Sequence, residues 1–222
     1  MKLICLHCAG GSSNLFRKWK FKGIEIIPID LPGRGKNICL PMINTFIEAK
    51  TFVENEISKE ISNNERWAIF GHSMGAYIAY EITKDVINKP DLLILSGINL
   101  FEKSGTLSIL ENDDYELINN LGYIGGIPQN MIDNKYFVEW FAPLIRCDLE
   151  VVNTYVYSEN TKVVNIPTIV INSSDDALID SEDSEKWKRY FEVFDYKLIQ
   201  GDHFSVYGQA LLIYKLLYDF RN

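Results

Sequence analysis

The sequence WAIFGHSMGA, residues 67–76, gives the strongest indication of how this chain folds. Its first four residues are apolar and predict a buried strand, and the residues after Met74 have the apolar spacing of a helix. Gly71, Ser73 and Gly75 form the pattern G-x-S-x-G, which places a serine on a strained strand-to-helix turn and exposes its hydroxyl. The start of a helix also favours negative charge nearby. The stretch therefore predicts a nucleophilic serine, Ser73, at the carboxyl end of a strand.

Short apolar runs on both sides of this stretch predict a parallel sheet. Most runs are continuous rather than alternating, as expected for strands covered on both faces, and helical patterns lie between them. This alternation predicts an α/β fold with a mostly parallel central sheet flanked by helices. With the serine turn, it indicates an α/β-hydrolase fold in a single domain, residues 1–222. The predicted strands are 2–6, 24–29, 67–70, 92–95, 168–171 and 196–199, and the predicted helices outside the insertion described next are 45–62, 74–86, 184–191 and 206–220.

The strand–helix alternation breaks after Leu95. From about residue 100 to 162 the chain carries only helical patterns, such as 106–121 and 134–157. About 60 residues between two parallel strands is too long for an ordinary crossover. We therefore expect a helical lid insertion at about 100–162, over the carboxyl edge of the sheet.

The composition is that of an acidic protein, with 222 residues, a formal net charge of −8 and a sequence pI of about 5.0. This charge argues against nucleic acid as a partner, because phosphate binding needs a basic field. No apolar stretch approaches the ~20 residues of a membrane span, so we expect no membrane partner. Cys5 and Cys8 form C-x-x-C but lie in an apolar strand pattern, without a second pair at metal spacing. We interpret the cysteines as thiols of a cytoplasmic protein and expect no metal site.

The general base that takes the serine proton is expected to be a histidine, and the chain has three. His203 lies in GDHF, residues 201–204, between the last predicted strand and the last predicted helix. It fills the third place in the order serine, acid, histidine that α/β-hydrolases follow. His72 lies inside the serine motif, where we expect its ring to point away from the hydroxyl of Ser73. His7 precedes the serine in the chain.

The acid is expected after the predicted strand 168–171, where the chain reads NSSDDA, residues 172–177. Asp175 and Asp176 are adjacent, and either could orient the imidazole and stabilise its cation. Chemistry alone leaves both open.

The oxyanion of the tetrahedral intermediate needs two preorganised donors. One is the backbone N–H of Met74, the residue after the serine. The other is expected from the loop after the first strand, HCAGGSS, residues 7–13. Its Gly10-Gly11 pair suits a tight turn that points an amide at a ligand.

Several motifs besides the serine turn resemble one family, the type II thioesterases that accompany nonribosomal peptide and polyketide synthetases. They occur in the family's order and run from Ala9 to Phe204, nearly the whole chain. They are AGGS at 9–12 followed by FRKW at 16–19, PGRG at 32–35, FGHSMGA at 70–76, GGIP at 125–128, PLIRCD at 143–148 and GDHF at 201–204. Two departures are Asp202, where the family has a second glycine, and Ser173, where a glycine is usual.

The resemblance implies the roles that chemistry leaves open. It implies Asp176 as the acid, and Ala9 and Met74 as the oxyanion donors. It implies hydrolysis of acyl or aminoacyl groups from the phosphopantetheine arm of a carrier protein, as an editing activity, without metal or other cofactor. The chain is thus expected to use a Ser73–His203–Asp176 triad and an acyl-enzyme.

Three other functions fit the same motifs. A general carboxylesterase or small lipase would share the triad but need no carrier-docking surface. An acyltransferase would pass the acyl group to an acceptor other than water. An interaction protein with an inactive hydrolase fold is disfavoured because a serine, an acid and a histidine are all present.

An acidic carrier would be repelled by this acidic chain unless a local patch opposes the net charge. The sequence RKWKFK, residues 17–22, is such a basic segment, and we expect it to lie near the mouth of the site. A solvated helix end with two core aromatics is an equally good interpretation.

Overall fold

A parallel six-stranded sheet forms the centre of the computed structural model, which describes residues 1–103, 108–158 and 164–221. The strand order is β2-β1-β3-β4-β5-β6, and each pair of neighbours is parallel. The predicted α/β class with a mostly parallel sheet is thereby confirmed. The strands are β1 (Lys2–Leu6), β2 (Glu25–Ile29), β3 (Trp67–His72), β4 (Leu92–Ser96), β5 (Thr168–Ser173) and β6 (Phe194–Ile199).

Helices cover both faces of the sheet. Because side chains alternate along a strand, Ile4 and Leu6 point to one face of β1, while Leu3 and Cys5 point to the other. The first face packs against α1 (Phe46–Glu60) and α2 (Met74–Asp85). The second packs against α6 (Ala210–Arg221) and the segment that follows β1. All of these strand residues are almost fully buried, which explains the continuous apolar runs.

Two predicted helices take a different form. The predicted helix 206–220 is split into a 3₁₀ helix, Ser205–Gly208, and α6. The predicted helix 184–191 is a 3₁₀ helix, Ser181–Arg189. Near its end, the buried residues Trp187 and Tyr190 lie three positions apart, which is the spacing that a 3₁₀ helix aligns on one face.

The chain between β4 and β5, residues 97–167, is here called the insertion. It contains two short 3₁₀ turns and the helices α3 (Asp114–Ile124), α4 (Gln129–Ile132) and α5 (Lys135–Asn153). Residues 104–107 and 159–163, part of the predicted lid, lie outside the described residues, and the described part of the insertion holds no named strand. The predicted helix 134–157 corresponds to α5, while helix α3 starts later than predicted because Asp113 caps it by accepting from the N–H groups of Tyr115 and Glu116.

Helix α5 joins the insertion to the body. Its first half packs with α3 in a small apolar cluster that includes Leu117, Val138 and Ala142. Its end carries Val151, which belongs to the main core beneath α1 and α2. Among the described residues, no helix has both the length and the apolar character that crossing a membrane requires.

Candidate active site

Ser73 stands at a turn that only a glycine-flanked sequence can make. Its backbone has φ 53° and ψ −120°, and its N–H donates to the carbonyl of Ser96 at 2.8 Å. A Cβ on Gly71 would lie 2.2 Å from the carbonyl oxygen of Gly75, and a Cβ on Gly75 would lie 2.6 Å from that of Leu6. Both obstacles are backbone atoms, which cannot move aside. The strained serine is therefore held by the two glycines of its motif, at the carboxyl end of β3.

His203 lies against Asp176. Its Nδ1 is 2.7 Å from Oδ2 of Asp176, and both residues are buried. The other oxygen, Oδ1, accepts from the N–H of Leu178 at 2.9 Å. Asp175 is exposed, and its carboxylate accepts from the side chain of Gln200 at 2.8 Å. Of the two aspartates that chemistry left open, the structure brings only Asp176 to the histidine.

The sheet explains why these residues meet. β3 and β5 both flank β4, so their carboxyl ends lie at one edge of the sheet, and β6 follows beside β5. Two backbone bonds then tie the loop after β5 to the end of β6: the N–H of Ser174 donates to Ile199 at 2.8 Å, and that of Asp175 donates to Gly201 at 2.9 Å. Residues far apart in sequence are thereby collected at one edge, as is usual in open α/β sheets.

The ring of His72, for which the sequence predicts only that it points away from the hydroxyl of Ser73, lies beside His203. Its ring centre lies 4.7 Å from that of His203 and 5.0 Å from that of Tyr207. Burial, and then the neighbouring imidazole of His203, hold the pKa of His72 well below its ordinary value of 6.5. The imidazole of His72 is thus uncharged and packs beside the ring of the candidate base. The variable position of G-x-S-x-G carries no signal that could have predicted this contact.

The loop after β1, residues 7–12, is here called the β1 loop. It begins with His7, whose neutral imidazole hydrogen-bonds to backbone groups. Burial, and then the charge of Arg34, lower the pKa of His7. Its Nδ1 lies 2.7 Å from the carbonyl oxygen of Cys8, to which it donates, and its Nε2 accepts from the N–H of Leu31 at 3.4 Å. Within the described residues, the N–H groups of Ala9 and Met74 donate to no protein acceptor. A free N–H is the condition that an oxyanion donor must meet, and both candidate donors meet it.

A cavity of about 280 Å³ lies between the β1 loop and the insertion. Its lining includes Ala9 and Gly10 from the loop, Phe141 and Ile145 from α5, and Phe204 beside His203. The lining holds no charged side chain, which suits an uncharged, largely apolar group. Among the described residues, in this cavity or outside it, no three His, Cys, Asp or Glu side chains lie together so as to hold a metal ion.

The basic segment, residues 17–22, packs its aromatic side chains inward, as the second of its two interpretations predicted. Trp19 is buried, and its Nε1 donates to the carbonyl of Tyr207 at 3.0 Å, while Phe21 packs on Tyr214 of α6. These aromatics are core residues. The chain here runs from the carboxyl edge of the sheet back to the amino edge, where Glu25 pairs with Lys2. The later part of the segment therefore runs toward the edge opposite Ser73, and only its start lies on the side expected for docking near the mouth of the site.

A family model and curated relatives identify the family of this chain, and solved structures share its fold. The family described as "Thioesterase domain" matches residues 1–213. The probable anguibactin biosynthesis thioesterase AngT of Vibrio anguillarum is 31% identical over 218 residues, which cover 92% of this chain and 85% of AngT. The medium-chain S-acyl fatty acid synthase thioesterase of Homo sapiens is 30% identical over 199 residues, covering 84% of this chain and 73% of the human protein. The crystal structure of ClbQ from the colibactin NRPS/PKS pathway shares the fold, with a TM-score of 0.88 at 22% identity over 99% of this chain and 98% of ClbQ.

Proposed function

The chain belongs to the thioesterase domain family, and we propose that it removes acyl or aminoacyl groups from the phosphopantetheine arm of a carrier protein by hydrolysis. It would thereby act as an editing enzyme of nonribosomal peptide or polyketide synthesis. The resemblance to type II thioesterases, which the sequence motifs indicated, is confirmed by relatives that carry that name or pathway. AngT is named for anguibactin biosynthesis and ClbQ for an NRPS/PKS pathway. These names support the carrier-bound substrate proposed here.

Ser73, His203 and Asp176 carry the proposed chemistry. The Oγ of Ser73 attacks the thioester carbonyl while His203 takes the hydroxyl proton of Ser73. His203 then gives that proton to the departing thiolate, which leaves as a thiol. The serine is left as an acyl ester. Water, deprotonated by His203, then attacks this ester and releases the free acid, and the proton returns to Ser73. Asp176 keeps the Nδ1 proton of His203 in place and stabilises the imidazolium that forms in each half-reaction.

The amides of Ala9 and Met74 receive the oxyanion in both steps. A preorganised donor of this kind is worth about 2.7–4 kcal/mol of transition-state stabilisation. The apolar cavity beside Ala9 accepts the acyl group, and the insertion acts as a lid over it. The lid keeps bulk water from the acyl group while the ester forms.

One observation carries this proposal: the 2.7 Å contact of His203 with Asp176, at the same sheet edge as a G-x-S-x-G serine, in a chain of the thioesterase family. The four cysteines are free thiols, which supports a reducing cytoplasm as the location.

The test is intact-mass spectrometry of several acyl-loaded carrier proteins before and after incubation with the enzyme. We expect the acyl mass to disappear from the carrier with the wild-type chain and to remain with Ser73→Ala, which removes the nucleophile and costs at least about 10⁴-fold in rate. The same acyl group on a small thiol and in an oxygen ester provides the comparison. Equal efficiency on all three substrates would favour a general esterase, and transfer to an added alcohol in preference to water would favour an acyltransferase.

A further inference from the structure

A buried ion pair connects the insertion to the β1 loop. Asp148, in the last third of α5, and Arg34, in the PGRG turn after β2, are both almost fully buried. Arg34 binds both carboxylate oxygens of Asp148, with Nη2 2.6 Å from Oδ1 and Nη1 against Oδ2. These two residues belong to motifs that the family resemblance identified, but the proposed chemistry gives neither a role.

The ion pair also holds the β1 loop itself. Oδ2 of Asp148 accepts from the backbone N–H of Gly10 at 2.7 Å. Nη1 of Arg34 donates to the carbonyl of Gly11 at 3.3 Å. The Ala9–Gly10 and Gly11–Ser12 peptide groups of the loop are thus bound by one buried pair.

Side-chain packing from helix α5 also holds Gly10 in place. Gly10 has φ +70°, and a Cβ there would lie 2.7 Å from the ring of Phe141 and 2.8 Å from Ile145. Both of these side chains belong to α5, like Asp148. Helix α5 therefore holds Gly10 by a charged hydrogen bond on one side and by close apolar contact on the other.

Stability is a weak explanation for this arrangement. Burying two charges costs desolvation energy that their attraction often only balances, and apolar residues of similar size stabilise a fold as well or better. This ion pair makes hydrogen bonds to two peptide groups of the β1 loop. Its presence is therefore better explained by a role in orienting that loop. The peptide that carries the Gly10 N–H joins Ala9 to Gly10, so its rotation moves the backbone of Ala9. An oxyanion donor must be held to within about 0.5 Å of its productive position.

We propose that Asp148, supported by Arg34, is a positioning residue of the oxyanion hole, so that the hole is complete only while α5 of the insertion is docked on the β1 loop. This inference rests on the proposed role of the Ala9 amide. It assigns to the insertion a part in catalysis in addition to covering the acyl group, because undocking α5 releases the Gly10 peptide.

Two double variants separate positioning from stability. Arg34→Met with Asp148→Asn and Arg34→Met with Asp148→Leu both remove the ion pair without leaving a buried charge. Asn and Leu are similar in size, but only Asn can accept from the Gly10 N–H. We expect kcat of the Asn variant within about tenfold of wild type and kcat of the Leu variant about 10²- to 10³-fold lower, the effect of one lost oxyanion donor. KM should change little in either.

A matched control is Asp114→Asn. This change removes the ion pair between Asp114 and Arg146. Arg146 is also on α5, but this ion pair lies within the insertion and makes no contact with the β1 loop. Its kcat should stay close to wild type. Thermal unfolding of each variant shows whether kcat follows stability.

A small activated ester, such as 4-nitrophenyl acetate, is the substrate, so the result does not depend on the natural carrier. Absence of carrier hydrolysis would count against the proposed function alone. Equal kcat in the two double variants, or a loss that appears in KM or follows the melting temperature instead of the hydrogen bond, would overturn the positioning role. Binding of an alkyl boronic acid, whose adduct with Ser73 places an oxygen in the oxyanion hole, should weaken in the Leu variant by the same factor as kcat; unchanged binding would also overturn it.

Discussion

The imidazole of His72 lies 4.7 Å, centre to centre, from that of His203. The contact places a buried, neutral ring from the serine turn against the candidate base. Phe204 packs edge-on against both rings, and Tyr207 packs against His72. The serine turn therefore supplies the candidate nucleophile, Ser73, and also a packing neighbour of His203.

Gly97 is the point at which this contact can be tested. A Cβ there would lie 2.4 Å from Cε1 of His72 and 3.0 Å from Cε1 of His203, and the backbone has φ +59°. We expect Gly97→Ala to displace both rings and lower kcat by about 10- to 100-fold, which is a partial loss of the roughly 10²- to 10⁴-fold that general-base catalysis contributes. The measurement is steady-state hydrolysis, with melting temperature as the check on folding. Gly208→Ala, where a Cβ meets nothing within 4 Å, is the control. Wild-type kcat in Gly97→Ala would show that the contact has no role.

The two adjacent aspartates are expected to differ sharply. Asp176→Asn removes the carboxylate that holds the Nδ1 proton of His203 and should lower kcat by up to about 10⁴-fold, because the wrong tautomer is then favoured. Asp175→Asn alters an exposed contact with Gln200 and should change kcat less than about threefold. Parallel kinetics on one thioester decide the matter. A larger effect at Asp175 would remove Asp176 from the triad.

Buried histidines make the fold sensitive to mild acid. The pKa values of His72 and His7 are lowered in the folded chain, so below about 6.5 the unfolded chain binds protons that the folded chain does not. The free energy of unfolding should therefore fall as pH drops below about 6.5, by up to about 1.4 kcal/mol per pH unit for each group. His72→Asn removes one of them.

Urea unfolding at pH 6.5, 6.0 and 5.5 gives the slope for wild type and variant. His72→Asn should be less stable than wild type at pH 6.5, yet lose stability less steeply as the pH falls. Identical slopes would mean that His72 binds its proton equally well in both states.

The helices of the insertion should exchange backbone hydrogens at different rates. Helix α3 rests on the small cluster of Leu117, Ile118 and neighbours, whereas the end of α5 reaches the main core through Val151. We expect α3 and α4 to exchange faster than the second half of α5, and all three faster than β3. Hydrogen exchange followed by mass spectrometry measures this. Protection of α3 as strong as that of β3 would exclude a mobile lid.

The two halves of the basic segment can be compared with each other, because they lie toward different edges of the sheet. If the carrier is acidic, reversing Arg17 and Lys18, which lie nearer the carboxyl edge, should lower kcat/KM on acyl-carrier by about tenfold at low salt. The same charge change at Lys20 and Lys22 should have less effect. Neither pair should alter hydrolysis of a small acyl thioester, and the difference should shrink as salt rises. Equal effects of both pairs would mean that net charge, not docking at this edge, is what matters.

The strands and the serine turn follow from local patterns in the amino-acid sequence. Six strands lie where apolar runs predicted them, within two residues at either end, and Ser73 has the strained backbone that its motif requires. Both features are local. A strand buried on both faces needs a continuous apolar run, and a turn with no room for Cβ atoms needs glycine at two fixed positions.

Packing between distant parts of the chain selects which side chains meet. Asp175 and Asp176 are chemically identical neighbours; the family resemblance predicted the second as the acid, and the path of the loop after β5 is what turns it toward His203. Arg34 and Asp148 lie 114 positions apart, so no periodicity links them, and their contact exists because α5 docks on the β1 loop. The basic segment reads as one patch in sequence but runs from one edge of the sheet to the other. Contacts of this kind depend on how elements pack, because the energy that selects them comes from burial and hydrogen bonding between distant parts of the chain.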